Sequence, residues 1–236
     1  MLLIDDFTRM TWVCLLKKKS KFFGNFKIFK ELVENETEQK IKCLRSDNGG
    51  EFTSKEFNHY YEEHGIRRQF SATRTPQHNG VVERTNKAML EMARTMLNDP
   101  QLDDKFWGLA IHTFVHIMNR GLLRNDSDKT PYELWTGRST NVKHFRIFRS
   151  RCYIKRDDGK IGKFDSRVDE GIFVGYSSKR KAYKCYNLRL CKVVETINVK
   201  IDESISSLDK QEDSEEQDEG EIIQEEEEEE NQEEDQ

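Results

Sequence analysis

Ile41-Lys42-Cys43-Leu44-Arg45-Ser46-Asp47-Asn48-Gly49-Gly50-Glu51-Phe52 is the stretch on which the fold turns. Residues 41–45 form a short strand-like run that leads directly into Asp47, and the paired glycines behind it permit a tight turn. On the N-terminal side, residues 20–35 carry Phe22, Phe23, Phe26, Phe29, Leu32 and Val33 at three-and-four spacing, which predicts an amphipathic helix packed on a sheet. On the C-terminal side, residues 54–64 predict a second helix, ended by Gly65, and residues 66–71 a strand. Farther out, residues 2–4 and 11–16 flank the polar Asp5-Asp6-Phe7-Thr8-Arg9 and predict a hairpin. Residues 73–80 hold the turn formers of a loop. Residues 81–97 follow with helical periodicity in Val82, Met89, Met92, Ala93 and Met96. Residues 106–119 place Trp107, Ile111, Val115 and Met118 on one face of a further helix. This order predicts an α/β domain, a mixed sheet with flanking helices.

After Thr130-Pro131-Tyr132-Glu133-Leu134-Trp135-Thr136-Gly137 the texture changes to short apolar bursts at 145–148, 152–154, 171–176, 183–186 and 193–199. Turn signals such as Asp157-Asp158-Gly159 separate them, which predicts a small all-β barrel. Beyond Ile201 the chain becomes a glutamate run, too poor in apolar residues to offset its ordering entropy, and is expected to be disordered. The expected domains are therefore 1–138, 143–203 and an acidic tail at 204–236.

The net charge of -5 averages two opposed regions. Residues 202–236 hold 19 of the 44 acidic residues against the single Lys210, so the tail carries -18 and residues 1–201 carry +13. A positive body suits a polyanionic partner such as nucleic acid, through counterion release, although a merely basic surface has the same composition. The five scattered cysteines show no paired spacing, and the N-terminus has no charged start followed by an apolar core. Together these predict a reduced, intracellular protein without a signal peptide. No apolar run approaches the roughly 20 residues of a membrane span, so a soluble chain with no membrane partner is expected.

Asp47 and Glu83 are separated by 35 residues, the first ending a strand and the second opening a helix. Two such carboxylates suit Mg²⁺, which takes oxygen ligands and keeps waters and phosphate oxygens in its shell. Two ions about 3.5 to 4 Å apart serve in-line phosphoryl displacement. Spacing alone equally fits an exposed turn aspartate and a glutamate complementing a helix dipole.

The wider context is more specific. Leu44-Arg45-Ser46-Asp47-Asn48-Gly49-Gly50-Glu51-Phe52 and Thr75-Pro76-Gln77-His78-Asn79-Gly80-Val81-Val82-Glu83-Arg84-Thr85-Asn86 resemble the second and third acidic motifs of retroviral-type integrases. Ile4-Asp5-Asp6-Phe7-Thr8-Arg9, Pro131-Tyr132-Glu133-Leu134-Trp135 and Gly171-Ile172-Phe173-Val174-Gly175-Tyr176 look like copia-type long-terminal-repeat retrotransposon polyproteins, plant ones in texture. The resemblance covers about residues 1 to 203.

It implies a ribonuclease H-like catalytic core followed by an SH3-like barrel, and a polynucleotidyl transferase that joins element DNA ends to target DNA with Mg²⁺ or Mn²⁺. It also implies three carboxylates, of which Asp47 and Glu83 match the second and third as catalytic and metal-binding residues. The first aspartate lies, in that family, on a strand before the one that ends at Asp5, and the resemblance therefore implies that this chain lacks that strand and is inactive. A central strand's absence would leave a sheet edge open to another chain. Asp5, at the hairpin turn, is expected to be structural rather than a substitute. Homo-oligomers on paired DNA ends, and a nuclear or virus-like-particle location, are further implications. Another class of reading is a noncatalytic nucleic-acid-binding or assembly fragment.

Four further residues are candidate DNA contacts. Asn86 and Lys87, three and four positions after Glu83, share its helix face, as do Leu90 and Arg94 farther along. Arg94 reads equally as solvated helix surface. Asn79 resembles a family position in a loop near the DNA end and also suits an N-cap. Asn48 either holds the turn at Asp47 or tolerates its backbone. His112 and His116 have metal-pair spacing but lack an intervening general base, so core or surface roles are expected. Lys179-Arg180-Lys181 reads as a basic turn or a DNA contact.

Overall fold

The computed structural model describes residues 1–47, 49–70, 80–97, 104–156 and 166–204. Asn48, the predicted 73–79 loop with Asn79, the Asp157-Asp158-Gly159 turn and the acidic tail beyond residue 204 lie outside them. The chain divides into two compact units, Met1–Lys143 and His144–Gln236.

The first unit opens with the predicted hairpin. β1 (Leu2–Ile4) pairs antiparallel with β2 (Thr11–Val13), Leu3 facing Trp12. The Asp5 carboxylate closes the turn, accepting from the Thr8 amide and hydroxyl at 2.7 Å each, and Arg9 takes a left-handed conformation (φ 64°). α1 (Phe22–Thr37) follows, then β3 (Cys43–Ser46), α2 (Lys55–Glu63) and β4 (Arg67–Phe70). Ser54 caps α2 by accepting from the Phe57 amide at 3.2 Å. β3 and β4 pair in parallel, so α2 is their crossover. α3 (Gly80–Leu97), α4 (Trp107–Gly121) and the short α5 (Pro131–Thr136) complete the unit. The element order is the one expected of an integrase-type, ribonuclease H-like core. Among the described residues, however, the sheet consists of two separate two-stranded pieces, β1 with β2 and β3 with β4.

The aromatic helix faces are core, as the spacing predicts. Phe22 and Phe26 of α1 cluster with Phe57, Tyr60, Tyr61 and Ile66. Two helical faces are phased differently from expectation. In α3 the buried residues are Gly80, Met89 and Ala93, which leaves Met92 41% exposed, and in α4 Trp107 lies at the exposed start while Ala110 and Phe114 join the buried face. The reason is that α3 and α4 pack on each other and on β1 and β2, so their burial follows these contacts rather than the best apolar stripe.

Asn119 of α4 is 3% exposed and bonds both backbone groups of Thr11, donating to its carbonyl at 2.7 Å and accepting its amide at 3.0 Å. A side chain thus takes the place of a neighbouring strand at this β2 position. Asn119→Ala is expected to cost about 2–4 kcal/mol in urea unfolding, since it leaves a buried donor and a buried acceptor unmatched. A loss below about 1 kcal/mol would show that water replaces the amide.

The second unit is a five-stranded antiparallel sheet in the order β8-β7-β6-β5-β9. Its strands are β5 (Arg151–Lys155), β6 (Val168–Tyr176), β7 (Tyr183–Asn187), β8 (Lys192–Thr196) and β9 (Val199–Asp202). Two sequence expectations change. The 145–148 burst is not a strand; Phe145 packs its ring against Tyr176, and the Arg146 amide donates to the Tyr176 hydroxyl at 2.9 Å. The single run at 193–199 is two strands, broken at Ile197–Asn198. β8 lies at one edge of the sheet and β9 at the other, yet only two residues join them. Three Cα steps span at most about 11 Å, whereas four strand spacings in a flat sheet need about 19 Å. The sheet must therefore curl until its edges approach, which is barrel geometry.

One buried polar group anchors this unit. The Asp169 carboxylate, 6% exposed, receives two bonds from Arg189 at 2.7 and 2.8 Å and one from Asn187 at 2.8 Å. The Arg189 guanidinium holds its carboxyl below the usual carboxylate range, and Asn187 and Arg156 act in the same sense against the opposing effect of burial. A depressed folded-state pKa contributes stability that is complete above the unfolded value of about 3.9 and disappears as pH falls through the folded one. Asp169→Ala is expected to destabilise the unit by about 2–3 kcal/mol at pH 7. This is less than the ~3–5 kcal/mol for breaking a fully buried pair, because the Arg189 side chain is 44% exposed. The variant should also lose part of the acid sensitivity below about pH 4. Hydrogen exchange in β6 and β7 across pH 3–7 measures both, and parallel pH profiles for the two proteins would refute the assignment.

Candidate active site

Asp47 follows the last paired residue of β3, so it stands at the carboxyl end of the parallel β3–β4 pair. Ligands of open α/β sheets bind beyond these ends. Its backbone is held from both sides: the buried Ser46 hydroxyl donates to the Asp47 carbonyl at 2.9 Å, and Asp47 Oδ1 accepts the Gly49 amide at 3.2 Å. The turn forms as predicted, but without left-handed backbone at either glycine; Gly49 is extended (φ −61°) and Gly50 opens a 3-10 turn. The Asp47 side chain is exposed.

Glu83 lies in the first turn of α3, where a carboxylate complements the helix dipole, and is also exposed. Val81 and Val82, immediately before it, line a cavity of about 580 Å³ that is also lined by Leu44 and Arg45 of β3. The two segments bearing the predicted carboxylates therefore border one cavity. Among the described residues no three His, Cys, Asp or Glu side chains form a metal-binding group. Asp47 and Glu83 fit a hard divalent cation by chemistry, as accessible carboxylate oxygens.

The other predicted residues divide. Asn86 and Lys87 are exposed on α3 one turn after Glu83, and Lys87 pairs loosely with Glu91 at 3.8 Å. Such an exposed helical pair is worth a few tenths of a kcal/mol, so Lys87 remains available to an anion. Arg94 is exposed in the last turn, where it complements the dipole, and Leu90 is half-buried. Asn48 and Asn79 lie outside the described residues. Asp5 serves the hairpin turn. His112 is exposed, and His116 approaches Arg120 at 3.4 Å. In the second unit Lys179, Arg180 and Lys181 are exposed, with Arg180 drawn toward Glu195 at 3.4 Å.

Sequence reasoning missed one charged feature. Arg45, two residues before Asp47, reaches Gln69 at 3.2 Å and Asp6 at 3.8 Å. Together with Arg9, which pairs with Asp6 at 2.7 Å, it lines the polar part of the cavity. Its place next to Leu44, which packs on the aromatic core, was the available signal, since neighbouring strand residues point to opposite faces.

Residues 1–76 match the integrase core domain family, and residues 150–216 match the retroviral polymerase SH3-like domain family. The chain is 38% identical over 201 residues to the retrovirus-related Pol polyprotein from transposon TNT 1-94 of Nicotiana tabacum, a match covering 85% of this chain and 15% of that polyprotein. It is 33% identical over 204 residues to the corresponding polyprotein from transposon RE1 of Arabidopsis thaliana, covering 85% of this chain and 14% of the other. The chain thus spans about a seventh of the length of these curated relatives.

Among solved structures, the HTLV-2 integrase catalytic core domain in complex with magnesium aligns with a TM-score of 0.43 at 23% identity, over 56% of this chain and 80% of that one. A simian T-cell lymphotropic virus intasome in complex with a PP2A regulatory subunit aligns with a TM-score of 0.47 at 16% identity, over 85% of this chain and 70% of that one.

The chain carries integrase-core sequence followed by a retroviral SH3-like domain. It is a relative of the plant retrotransposon Pol polyproteins.

Proposed function

We propose that this chain is the integrase segment of a copia-type retrotransposon polyprotein, of the class that joins a 3′ hydroxyl of element DNA to a target phosphodiester. Residues 1–138 form its catalytic core, residues 143–203 its SH3-like domain, and residues 204–236 an acidic tail. The observation that carries the reading is the placement of Asp47 and Glu83 on segments that border one cavity, Asp47 within the integrase core match and both within sequence similar to a retrotransposon Pol polyprotein. Asp47 and Glu83 would hold Mg²⁺ or Mn²⁺, which when bound would supply Lewis-acid stabilisation of the charge developing on the phosphate oxygens. Asn86 and Lys87, and with them Asn48 and Asn79, contact DNA around this centre.

The family resemblance implies a third carboxylate, on a strand additional to those described, that completes the site with Asp47 and Glu83. Homo-oligomers on paired DNA ends, and action in the nucleus or a virus-like particle, accompany this reading. Strand transfer of a labelled element-end duplex, in Mg²⁺ and in Mn²⁺, is the direct test, and absence of product from a protein bearing all three carboxylates would reject it.

DNA binding is separately measurable. Lys87→Ala is expected to weaken binding to any duplex similarly, by roughly threefold to tenfold near 0.1 M salt, and to reduce the slope of log K against log salt by about 1. An unchanged slope would remove Lys87 from the interface.

A further inference from the structure

Cys152 of β5 and Cys185 of β7 are both fully buried and share one core cluster of the second unit with Ile154, packed about by Tyr183, Val194, Val199 and Ile201. Both are free thiols, and they are hydrogen-bonded to each other. Their strands are not neighbours, since β6 lies between them. Strands one removed stand about 9.6 Å apart in a flat sheet, yet residues of β5 and β7 come within 8 Å of each other, Cα to Cα. The curl of the sheet therefore closes its inner face over β6. Gly171 makes the remaining room. It faces Cys152 across the β5–β6 pair, and a Cβ there would lie 3.3 Å from Cys152 Sγ, 3.0 Å from Ile154 Cδ1 and 2.5 Å from the Tyr186 carbonyl oxygen. The Cys152 sulfur thus uses space that any larger residue at 171 would fill.

Two thiols in contact need little rearrangement to be joined, because a disulfide sets its sulfurs about 2 Å apart and its Cβ atoms about 3.8 Å apart. Neither thiol is open to a reagent in the folded unit. The hydrogen bond with Cys185, and after it burial, push the Cys152 thiol well above the usual thiol range, which withholds the thiolate that disulfide exchange requires. The pair is inert once folded and exchanges only while β5 and β7 are apart.

We propose that Cys152 and Cys185 form a redox-responsive clamp of the SH3-like unit, which closes to a disulfide when the unit folds beside a small-molecule disulfide and stays open when it folds under reducing conditions. Closure takes two exchanges. One cysteine thiolate attacks glutathione disulfide and releases a glutathione thiol, and the second cysteine then attacks the mixed disulfide and releases another. Two protein thiols and one glutathione disulfide give one protein disulfide and two glutathione thiols, the protons passing to the glutathione sulfurs. Burial then shields the bond from reductant, so the folded unit keeps the state set while it folded. The bond ties β5 to β7 and constrains residues 152–185 of the unfolded chain, which raises stability. The proposal rests on the thiol contact and is independent of strand transfer.

The test is refolding of the full chain from urea in glutathione buffers of graded thiol-to-disulfide ratio, followed by acid quenching, alkylation of the remaining thiols and peptide mapping. The expected product is two hydrogens lighter, with Cys152 joined to Cys185 and with Cys14, Cys43 and Cys191 alkylated. By calorimetry its second unit melts at least about 10 °C above that of the dithiol form. In Cys185→Ala the melting no longer depends on the glutathione ratio; if that variant does not fold, the wild-type series across ratios decides alone. Thiols at both positions at every ratio overturn the proposal, and the pair is then core packing only. So do mixed disulfides with glutathione in place of the link, or a linked form that melts below the dithiol form. If the chain already folded closes as fast as the refolding chain, the thiols are not shielded and the dependence on folding is wrong.

Discussion

Glu83→Gln and Asp47→Asn should each lower metal-dependent strand transfer about 10³-fold, measured in a protein extended with the upstream segment of its tobacco relative so that three carboxylates are present. Each substitution keeps the size of the side chain and removes the charge that a divalent cation needs from an oxygen ligand. Several kcal/mol of charge stabilisation are at stake in metal-assisted phosphoryl transfer, and about 4 kcal/mol corresponds to 10³-fold in rate. Both side chains are exposed, so the folded state should change by no more than about 0.5 kcal/mol. That separation of activity from stability distinguishes metal ligands from structural carboxylates. Wild-type rates in either variant would dismiss the paired-carboxylate site. If the unextended chain were itself active and its Glu83→Gln variant dead, Asp5 or another carboxylate would complete the site, and the expectation of inactivity would be wrong.

Phe57→Ala should destabilise the first unit by about 3–5 kcal/mol, the range for truncating a buried aromatic. Phe57 is fully buried, and its ring packs against those of Phe22, Phe23, Phe26, Phe52 and Tyr61 at centroid separations of 4.6 to 6.3 Å. It joins α2 to α1, and both helices flank the strand that carries Asp47. Net stabilities of whole domains are about 5–15 kcal/mol, so the variant should populate unfolded or partly unfolded forms at 25 °C. Chemical denaturation followed by hydrogen exchange in α1, α2 and β3 measures this. A loss under about 1.5 kcal/mol would mean that neighbouring rings collapse into the space.

The helices were legible because their residues repeat at 3.6, and burial of Phe22, Phe26 and Phe57 needs only that period and a sheet to cover. The hairpin was legible from polar residues between two apolar runs, and Asp47 and Glu83 could be assigned to a strand end and a helix start from local pattern alone. α5 was overlooked although its signal was present: Thr130 and Glu133 form a reciprocal capping box, with Pro131 at the first helical position and Gly137 left-handed (φ 68°) at its end. Six residues are too few for periodicity to register, so capping chemistry was the only evidence of the helix.

By itself, then, the sequence determined the secondary-structure order, the change from an α/β unit to an all-β unit, and the residue types available for divalent-cation chemistry, since each depends on neighbours a few positions apart. Only the tertiary structure decided the bond of Asn119 to Thr11 across 108 positions and the division of residues 192–202 between opposite edges of a curled sheet. Those features depend on which backbone edges meet in space, and strand pairing is set by contacts distant in the chain whose partners no local period names.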